Sequence, residues 1–186
     1  MNKTVRPTFQ AVLLSTRAAA PDALLFRFAS PKDFRFTPGQ FLMFHFADDP
    51  KTRRAYSLCS SPLSAGEYFE VTVGMAGKFS ERLGALKPRQ EGGRVVRGPF
   101  GTWTYDGSIP YAVLISGGAG ITPFRAMCRM KIELGLKGKI TLCCSAKTPA
   151  DLLYEDEYDV WRQNGINVKE IITQPGAVSN WNGGIG

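Results

Sequence analysis

The sequence predicts two domains in series: an antiparallel Greek-key β-barrel over residues 1–107, followed by a parallel three-layer α/β domain over residues 108–186. Three observations predict this order. The 186 residues are enough for one large or two small domains. Residues 8 to about 105 contain many short apolar segments separated by Gly and Pro, which is typical of a small barrel. Beyond Ile109 and Pro110, apolar segments alternate with helical ones, which indicates a parallel sheet.

The elements of the first domain are mostly strands. Residues 68–73 alternate Phe69, Val71 and Val73 with two polar side chains, Glu70 and Thr72, which predicts a half-buried strand. Gly98-Pro99-Phe100-Gly101 is predicted to form the turn that closes the barrel. The other predicted strands are 9–16, 23–29, 41–46 and one that contains Val95 and Val96, and a short helix is predicted over 78–86.

The elements of the second domain follow the order strand, helix, strand, helix, strand. Residues 111–115 are all apolar, which is typical of a strand buried on both faces of a parallel sheet. The next helix has Pro123 in its first turn and Gly135 just beyond its end. Right-handed crossovers place the strands in the order 3-2-1, as in a mononucleotide-binding half-sheet. The predicted helices are 123–134 and 150–163, and the predicted strands are 111–115, 139–144 and 166–173.

Composition and charge limit the classes of function. Hydrophobic residues make up 44% and charged residues 21%, a globular balance, and no apolar run is long enough to cross a bilayer. The N-terminus is a poor secretory signal, so we expect a cytoplasmic protein without a membrane span. The net charge of +7 comes from scattered basic residues, which argues against a nucleic-acid partner. This charge indicates either a solvated basic surface or docking of an acidic redox protein.

The cysteines and the histidine do not predict a metal site. Cys59, Cys128, Cys143 and Cys144 contain no C-x-x-C pair and match neither a zinc site nor an iron–sulfur ligand run. We expect reduced, mostly buried thiols. His45, the only histidine, lies on an apolar predicted strand and is expected to be structural.

The segment Arg53-Arg54-Ala55-Tyr56-Ser57 combines three chemistries that a flavin requires. Arg54 offers a planar fork to phosphate oxygens, Tyr56 offers an aromatic face, and Ser57 offers a hydroxyl that both donates and accepts. On a strand, residues 54 and 56 share one face. Alone, R-x-Y-S is a short pattern that also fits an ordinary strand with alternating exposure.

A second segment is expected to face the same phosphates. Gly77, Lys78, Phe79 and Ser80 open the short predicted helix, and free N–H groups at a helix N-terminus attract anions. We therefore expect residues 78–80 to hold the pyrophosphate from the side opposite Arg54. The alternatives for Ser80 are a helix cap and a plain surface position.

A glycine-rich loop lies between the first strand and the first helix of the second domain. Gly117, Gly118 and Gly120 let the backbone approach a pyrophosphate, and Thr122 and Pro123 begin the helix. The spacing differs from G-x-G-x-x-G, so the loop is not the dehydrogenase fingerprint. A turn without a ligand is the alternative.

The end of the second strand bears on the choice of nucleotide. NAD-preferring sheets usually place a carboxylate there, whereas this chain has Ser145 and Lys147. Lys147 can face a 2′-phosphate, which slightly favours NADP over NAD. An ordinary surface lysine is the alternative.

The segment over residues 53–57 and the glycine-rich loop, in this order along the chain, are two constellations that resemble those of the ferredoxin–NADP reductase superfamily. The resemblance covers nearly the whole chain. Pro38-Gly39-Gln40-Phe41 before the first constellation and Gly98-Pro99-Phe100-Gly101 after it belong to the same resemblance. The loop Gly117-Gly118-Ala119-Gly120-Ile121-Thr122-Pro123 is similar to the nicotinamide-binding loop of that superfamily. The resemblance implies FAD as the cofactor, with FMN as the lesser option, and NAD(P)H as the cosubstrate.

The resemblance also implies roles for individual residues. Arg54 is expected to contact the flavin pyrophosphate and Tyr56 to pack on the flavin, while Thr72 and Val73 offer backbone contacts to the ring. Ser57, near the redox-active ring atoms, and Thr122, near the nicotinamide, are the expected catalytic residues. Hydride transfer needs no protein nucleophile, only close positioning and the exclusion of water.

One departure from the superfamily leaves alternatives open. The family's nucleotide domain continues to a C-G-P-P-like loop that this sequence lacks, so we expect either a truncated product or a natural variant with half a nicotinamide site. The main hypothesis is an NAD(P)H-dependent flavin reductase that serves a ferredoxin, an oxygenase component or a haem protein. The alternatives are a non-enzymatic flavin-binding electron-transfer or regulatory subunit, and a scaffold without a cofactor. The oligomeric state stays open.

Overall fold

The computed structural model describes residues 6–89, 93–175 and 181–186. Residues 1–5, 90–92 and 176–180, which belong to the two predicted domains, lie outside the described residues. Two antiparallel sheets form the N-terminal half. The first contains, in spatial order, β1 (Thr8–Gln10), β7 (Arg94–Phe100), β4 (Phe41–Phe46) and β5 (Asp49–Ser57). The second contains β2 (Leu13–Ala20), β3 (Ala23–Ala29) and β6 (Tyr68–Gly74).

An aromatic core lies between these two sheets. The ring of Phe28 lies 5.6 Å from that of Phe44 and 5.5 Å from that of Phe69, measured between centroids. A β-bridge between Leu58 and Val71 joins the sheets at one corner. This arrangement confirms the predicted antiparallel β architecture, with the helix α1 (Lys78–Gly84) following β6.

The C-terminal half is a parallel α/β layer structure. Its elements are β8 (Tyr111–Gly117), α2 (Thr122–Glu133), β9 (Lys139–Ala146), α3 (Glu155–Gln163), β10 (Ile166–Ile172) and β11 (Gly184–Ile185). The sheet order is β11-β10-β9-β8, with parallel pairing throughout. The predicted order 3-2-1 of the three main strands is therefore confirmed. The short β11 adds a strand that the sequence did not predict.

Several predicted elements have different bounds; for example, β7 continues through Gly98 and Pro99, where a turn was predicted, to Phe100. Two differences are larger. The predicted strand 9–16 is divided into β1 and β2, which lie in different sheets: Ala11 still donates its N–H to the Arg94 carbonyl of β7, whereas the Val12 carbonyl accepts from Ala29 of β3. The predicted helix 150–163 begins only at Glu155. Tyr154, just before it, has a left-handed backbone with φ of 64° and a buried side chain, which is incompatible with a continuous helix.

Two strands differ from the predicted exposure. The strand β6 was predicted to be half-buried, but Glu70 and Thr72 on its polar face are buried because the second domain covers them. The strand β8 was predicted to be buried on both faces, but Tyr111, Val113 and Ile115 are exposed, Ile115 by 75%. The side chains between them point toward α2 and are buried.

Within the described residues, the helices are too short or too polar to traverse a lipid bilayer. All four cysteines are free, and three of them are buried, while Cys143 is partly exposed.

Candidate functional site

A cavity of about 670 Å³ opens between β5 and the start of α1. It brings together six of the residues that the sequence singled out as cofactor-binding. They are Arg54, Tyr56, Gly77, Lys78, Phe79 and Ser80. Phe46, Asp49, Thr52, Gly74, Ala76 and Arg82 complete the lining.

The alternation of β5 places Arg54 and Tyr56 on the cavity side. These residues pair with Phe44 and Leu42 of β4, so the neighbouring strand sets their register. The guanidinium carbon of Arg54 lies 5.8 Å from the centroid of the Phe79 ring, and its Nη1 donates to the carbonyl of Arg53 at 2.9 Å. The Arg54 side chain is exposed and retains donors that can meet a phosphate.

Tyr56 presents an aromatic surface at the cavity wall. Its ring lies 5.5 Å from the Phe44 ring in an edge-to-face contact and 6.3 Å from the Phe79 ring. Burial raises the pKa of Tyr56 despite the nearby charge of Arg54, so the phenol is neutral at physiological pH. A half-buried neutral ring of this kind suits stacking against a flat ligand.

Ser80 shapes the loop before α1. Its Oγ accepts hydrogen bonds from the N–H groups of Ala76 and Gly77, both at 3.1 Å, and donates to the Gly77 carbonyl at 2.8 Å. Gly77 is therefore the N-cap of α1, and the Ser80 hydroxyl, in the first turn, reaches back to the Gly77 N–H. The N–H groups of residues 78–80 belong to the first turn, where the helix itself offers no acceptor.

The remaining predicted flavin contacts do not line this cavity. Ser57 ends β5 opposite Phe41. The Thr72 hydroxyl accepts a hydrogen bond from the Tyr154 hydroxyl at 2.6 Å, and Val73 lies in the barrel core. Only the backbones of Thr72 and Val73 remain for a ligand, which is the contact expected for them, and their roles and that of Ser57 stay predictions.

Sequence reasoning missed Arg82 at the cavity rim. Its Nη2 donates to both carboxylate oxygens of Asp48, at 2.7 and 2.6 Å, and its guanidinium carbon lies 3.9 Å from the centroid of the Phe46 ring. Arg82 is four residues after Lys78, so both project from the same side of α1. That spacing was the available signal.

The glycine loop forms the second part of the site. Gly117 ends β8, a 3-10 turn covers Gly118–Ile121, and α2 begins at Thr122. Gly118 has φ of +49°, and a Cβ added at Gly117 or Gly118 would meet no atom within 4 Å. The loop backbone is therefore open to a ligand. Pro123 lies in the first turn of α2, and the Thr122 hydroxyl donates to the Ala119 carbonyl at 2.6 Å.

The predicted nucleotide residues of β9 lie beside this loop. Ser145 pairs with Gly117 across the two parallel strands. Lys147 follows β9 directly and is exposed. The carboxyl ends of β8 and β9 therefore present the glycine loop, Ser145 and Lys147 at one edge of the sheet, where open α/β sheets bind ligands.

The two parts of the site share a buried polar contact that sequence reasoning also missed. Arg125 of α2 reaches Glu70 of β6 and the carbonyl of Cys59, and Tyr154 reaches Thr72. The apolar core around it also crosses the boundary, because Leu25 and Cys59 pack in the same cluster as Met127. No sequence pattern that we used links residues this far apart.

The residues present fit a flavin nucleotide. The cavity offers cationic side chains, first-turn N–H groups and an aromatic wall, which match a pyrophosphate and a flat ring system. The open glycine backbone at the second position fits a further nucleotide.

Comparisons with known proteins define the class. Residues 10–105 match a family described as the oxidoreductase FAD-binding domain, and residues 114–186 match the oxidoreductase NAD-binding domain. Together they define an FAD- and NAD(P)-binding oxidoreductase. The chain belongs to the ferredoxin–NADP reductase superfamily.

Individual relatives support this assignment. The chain is 29% identical over 182 residues to ferredoxin–NADP reductase B of Sorangium cellulosum, covering 94% of this chain and 73% of that protein. It is 32% identical to the reductase component of propane 2-monooxygenase of Mycolicibacterium smegmatis, covering 82% of this chain and 43% of the relative. A solved ferredoxin reductase in carbazole 1,9a-dioxygenase superposes with a TM-score of 0.78 at 27% identity, covering 97% of this chain and 54% of that one. The chain thus spans about half the length of the last two proteins.

Proposed function

We propose that this chain binds FAD between β5 and α1 and passes electrons from NAD(P)H, bound at the glycine loop, to a protein acceptor. The observation that carries the proposal is the cavity that joins Arg54, Tyr56 and the first turn of α1, together with an open glycine backbone at the carboxyl end of β8. Bound FAD would supply the chemistry, accepting a hydride from the nicotinamide and releasing electrons singly.

The chain's own residues bind and orient. Arg54 and the N–H groups of residues 78–80 would bind the pyrophosphate, and Tyr56 would pack on the ring system. Gly117, Gly118 and Gly120 allow the nucleotide pyrophosphate to approach the backbone. Ser57 and Thr122 remain the proposed catalytic residues nearest the reacting atoms.

The finer assignments belong to the same proposal. The exposed Lys147 and the name of the Sorangium relative favour NADP over NAD, and the match of residues 10–105 to an FAD-binding family favours FAD over FMN. Relatives named as oxygenase reductase components suggest an oxygenase component or a ferredoxin as the acceptor. The net charge of +7 suits an acidic acceptor. The cytoplasmic location and the division at residue 107 remain predictions.

The test begins with the purified full chain. We expect uptake of FAD with flavin absorbance, and bleaching of that absorbance by NADPH or NADH without oxygen. Flavin uptake without bleaching would favour the non-enzymatic flavin-binding subunit. If the protein takes up no flavin, the scaffold without a cofactor is the remaining hypothesis.

Arg54→Ala tests the flavin site itself. Loss of one charge-assisted hydrogen bond of about 1.5–3 kcal/mol should raise the Kd for FAD about 10- to 100-fold in a fluorescence titration. Arg53→Ala is the matched control, because the Arg53 side chain bonds the Pro50 carbonyl at 3.0 Å and does not line the cavity. Equal losses in the two variants would contradict the proposed site.

A further inference from the structure

The strand β6 has two buried faces with different partners. Phe69, Val71 and Val73 pack in the barrel core, whereas Glu70 and Thr72 face the second domain. Glu70 is 0% exposed, so its carboxylate must be compensated by buried partners. Arg27 of β3 donates to one carboxylate oxygen at 2.9 and 2.7 Å, and Arg125 donates to the other at 2.7 Å.

Arg125 connects both domains through one guanidinium group. On the barrel side its Nη1 reaches Glu70 and also the carbonyl of Cys59, at 3.0 Å. On the nucleotide side its Nε donates to Glu157 of α3 at 2.8 Å, and its Nη2 lies 2.6 Å from the same carboxylate. Arg125 is 1% exposed, so these contacts are shielded from water.

The position of Arg125 relates it to both halves of the site. It lies one helical turn after Thr122, where the glycine loop ends, which corresponds to a rise of about 5 Å. Cys59 lies two residues after Ser57, about 7 Å of extended chain. The contact between Arg125 and Cys59 is therefore a short path from the glycine loop to the end of the flavin-binding strand.

Tyr154 packs beside the contact between Arg125 and the barrel. Its hydroxyl donates to Thr72 at 2.6 Å, and its ring centroid lies 4.8 Å from the guanidinium carbon of Arg125. A left-handed backbone is rare for a bulky residue and persists only where the surroundings hold it. The strained backbone therefore places the Tyr154 ring against Arg125.

We propose that Arg125 is a positioning residue for the proposed hydride transfer: it sets the distance between the glycine loop and the strand that ends at Ser57. This inference rests on the proposed function, because it assigns the flavin to that strand and the nicotinamide to that loop. Reacting groups must be held within about 3–3.5 Å, and a displacement of about 1 Å can cost 100-fold in rate. Arg125 does not line the cavity between β5 and α1, so it would act on the reaction through the backbone.

Arg129 provides a matched control. It lies one turn further along α2 and donates to the same carboxylate of Glu157, at 3.1 Å from both Nε and Nη2. Among the described residues, the Arg129 side chain bonds to Glu157 and reaches neither Glu70 nor Cys59. Comparison of Arg125→Met with Arg129→Met therefore separates the contact with the barrel from the contact with α3.

The experiment has two readouts on the full chain. The first is hydrogen–deuterium exchange of residues 117–122 and 57–60 without added nucleotide. We expect faster exchange in both segments of Arg125→Met and wild-type exchange in Arg129→Met. If Arg125→Met does not fold, Arg125→Lys replaces it, because a lysine cannot span Glu70, Cys59 and Glu157 together.

The second readout is the anaerobic reduction of FAD-loaded protein. We expect NADPH to reduce the Arg125 variant about 100-fold more slowly than wild type, with an unchanged Kd for FAD and an unchanged rate with dithionite. Equal slowing in both arginine variants, or unchanged exchange in Arg125→Met, would overturn the proposal. If wild-type protein takes up no FAD, the proposed function fails, while the exchange comparison still decides whether Arg125 couples the two segments.

Discussion

Lys147 is the residue from which we infer a preference for NADP. It is exposed just beyond the carboxyl end of β9, beside Ser145 and the glycine loop. An ammonium at this position can pair with the 2′-phosphate that NADPH has and NADH lacks. Because the site is exposed, the pair contributes at most about 1 kcal/mol rather than the larger value of a buried pair.

Lys147→Ala should therefore raise the KM for NADPH by up to about fivefold and leave the KM for NADH unchanged. Lys139→Ala is the control, because Lys139 is also exposed but lies at the amino end of β9, the end opposite Lys147. Steady-state kinetics with both nucleotides checks the prediction. A parallel change for NADH and NADPH would show that Lys147 does not read the 2′ position.

At the scale of elements, α1 depends on one buried hydroxyl. Ser80 satisfies the N–H groups of Ala76 and Gly77 and thereby fixes the loop that enters the helix. Ser80→Ala should lower the free energy of unfolding by about 1–2 kcal/mol and weaken FAD binding, because the loop lines the cavity. Urea unfolding and flavin titration measure the two effects. Glu81→Ala, an exposed change at the next position of α1, should alter neither, and a similar loss there would contradict a specific role for Ser80.

The strands show how far the sequence could predict the fold. Local patterns predicted the order of strands and helices, the sheet order and the six cavity residues, because alternation, glycine turns and helix starts are local signals. The exposure of β6 and β8 depends on what packs against each strand. In the sequence, Arg27 interrupts the apolar run of β3 without an evident cause. The structure explains it, because Arg27 pairs with the buried Glu70, 43 residues away on the neighbouring strand. Such pairs are set by tertiary contact, so local patterns cannot reveal them.

At the scale of the whole molecule, one charged cluster joins the two domains. It contains the carboxylates of Glu70 and Glu157 and the guanidinium groups of Arg17, Arg27, Arg125 and Arg129. Burial alone would raise the pKa of both carboxyls. The charge of Arg125 together with hydrogen bonds from the arginines outweighs it, so the pKa of each lies below its usual value of 4.5.

The direction of these shifts predicts the pH dependence of domain coupling. Because the folded pKa values are lowered, the unfolded chain binds protons first as pH falls, so the stabilisation is complete above about pH 5 and is lost progressively below about pH 4.5. Arg125→Met removes the buried partner that Glu70 and Glu157 share and should cost about 3–5 kcal/mol at pH 7. Because burial then raises the pKa of carboxyls that have lost this partner, the difference in the free energy of unfolding between wild type and variant should be largest near pH 7 and shrink as the pH falls to 3, which urea unfolding measures. A difference that stays constant down to pH 3 would mean that the carboxylates of Glu70 and Glu157 do not hold the domains together through Arg125.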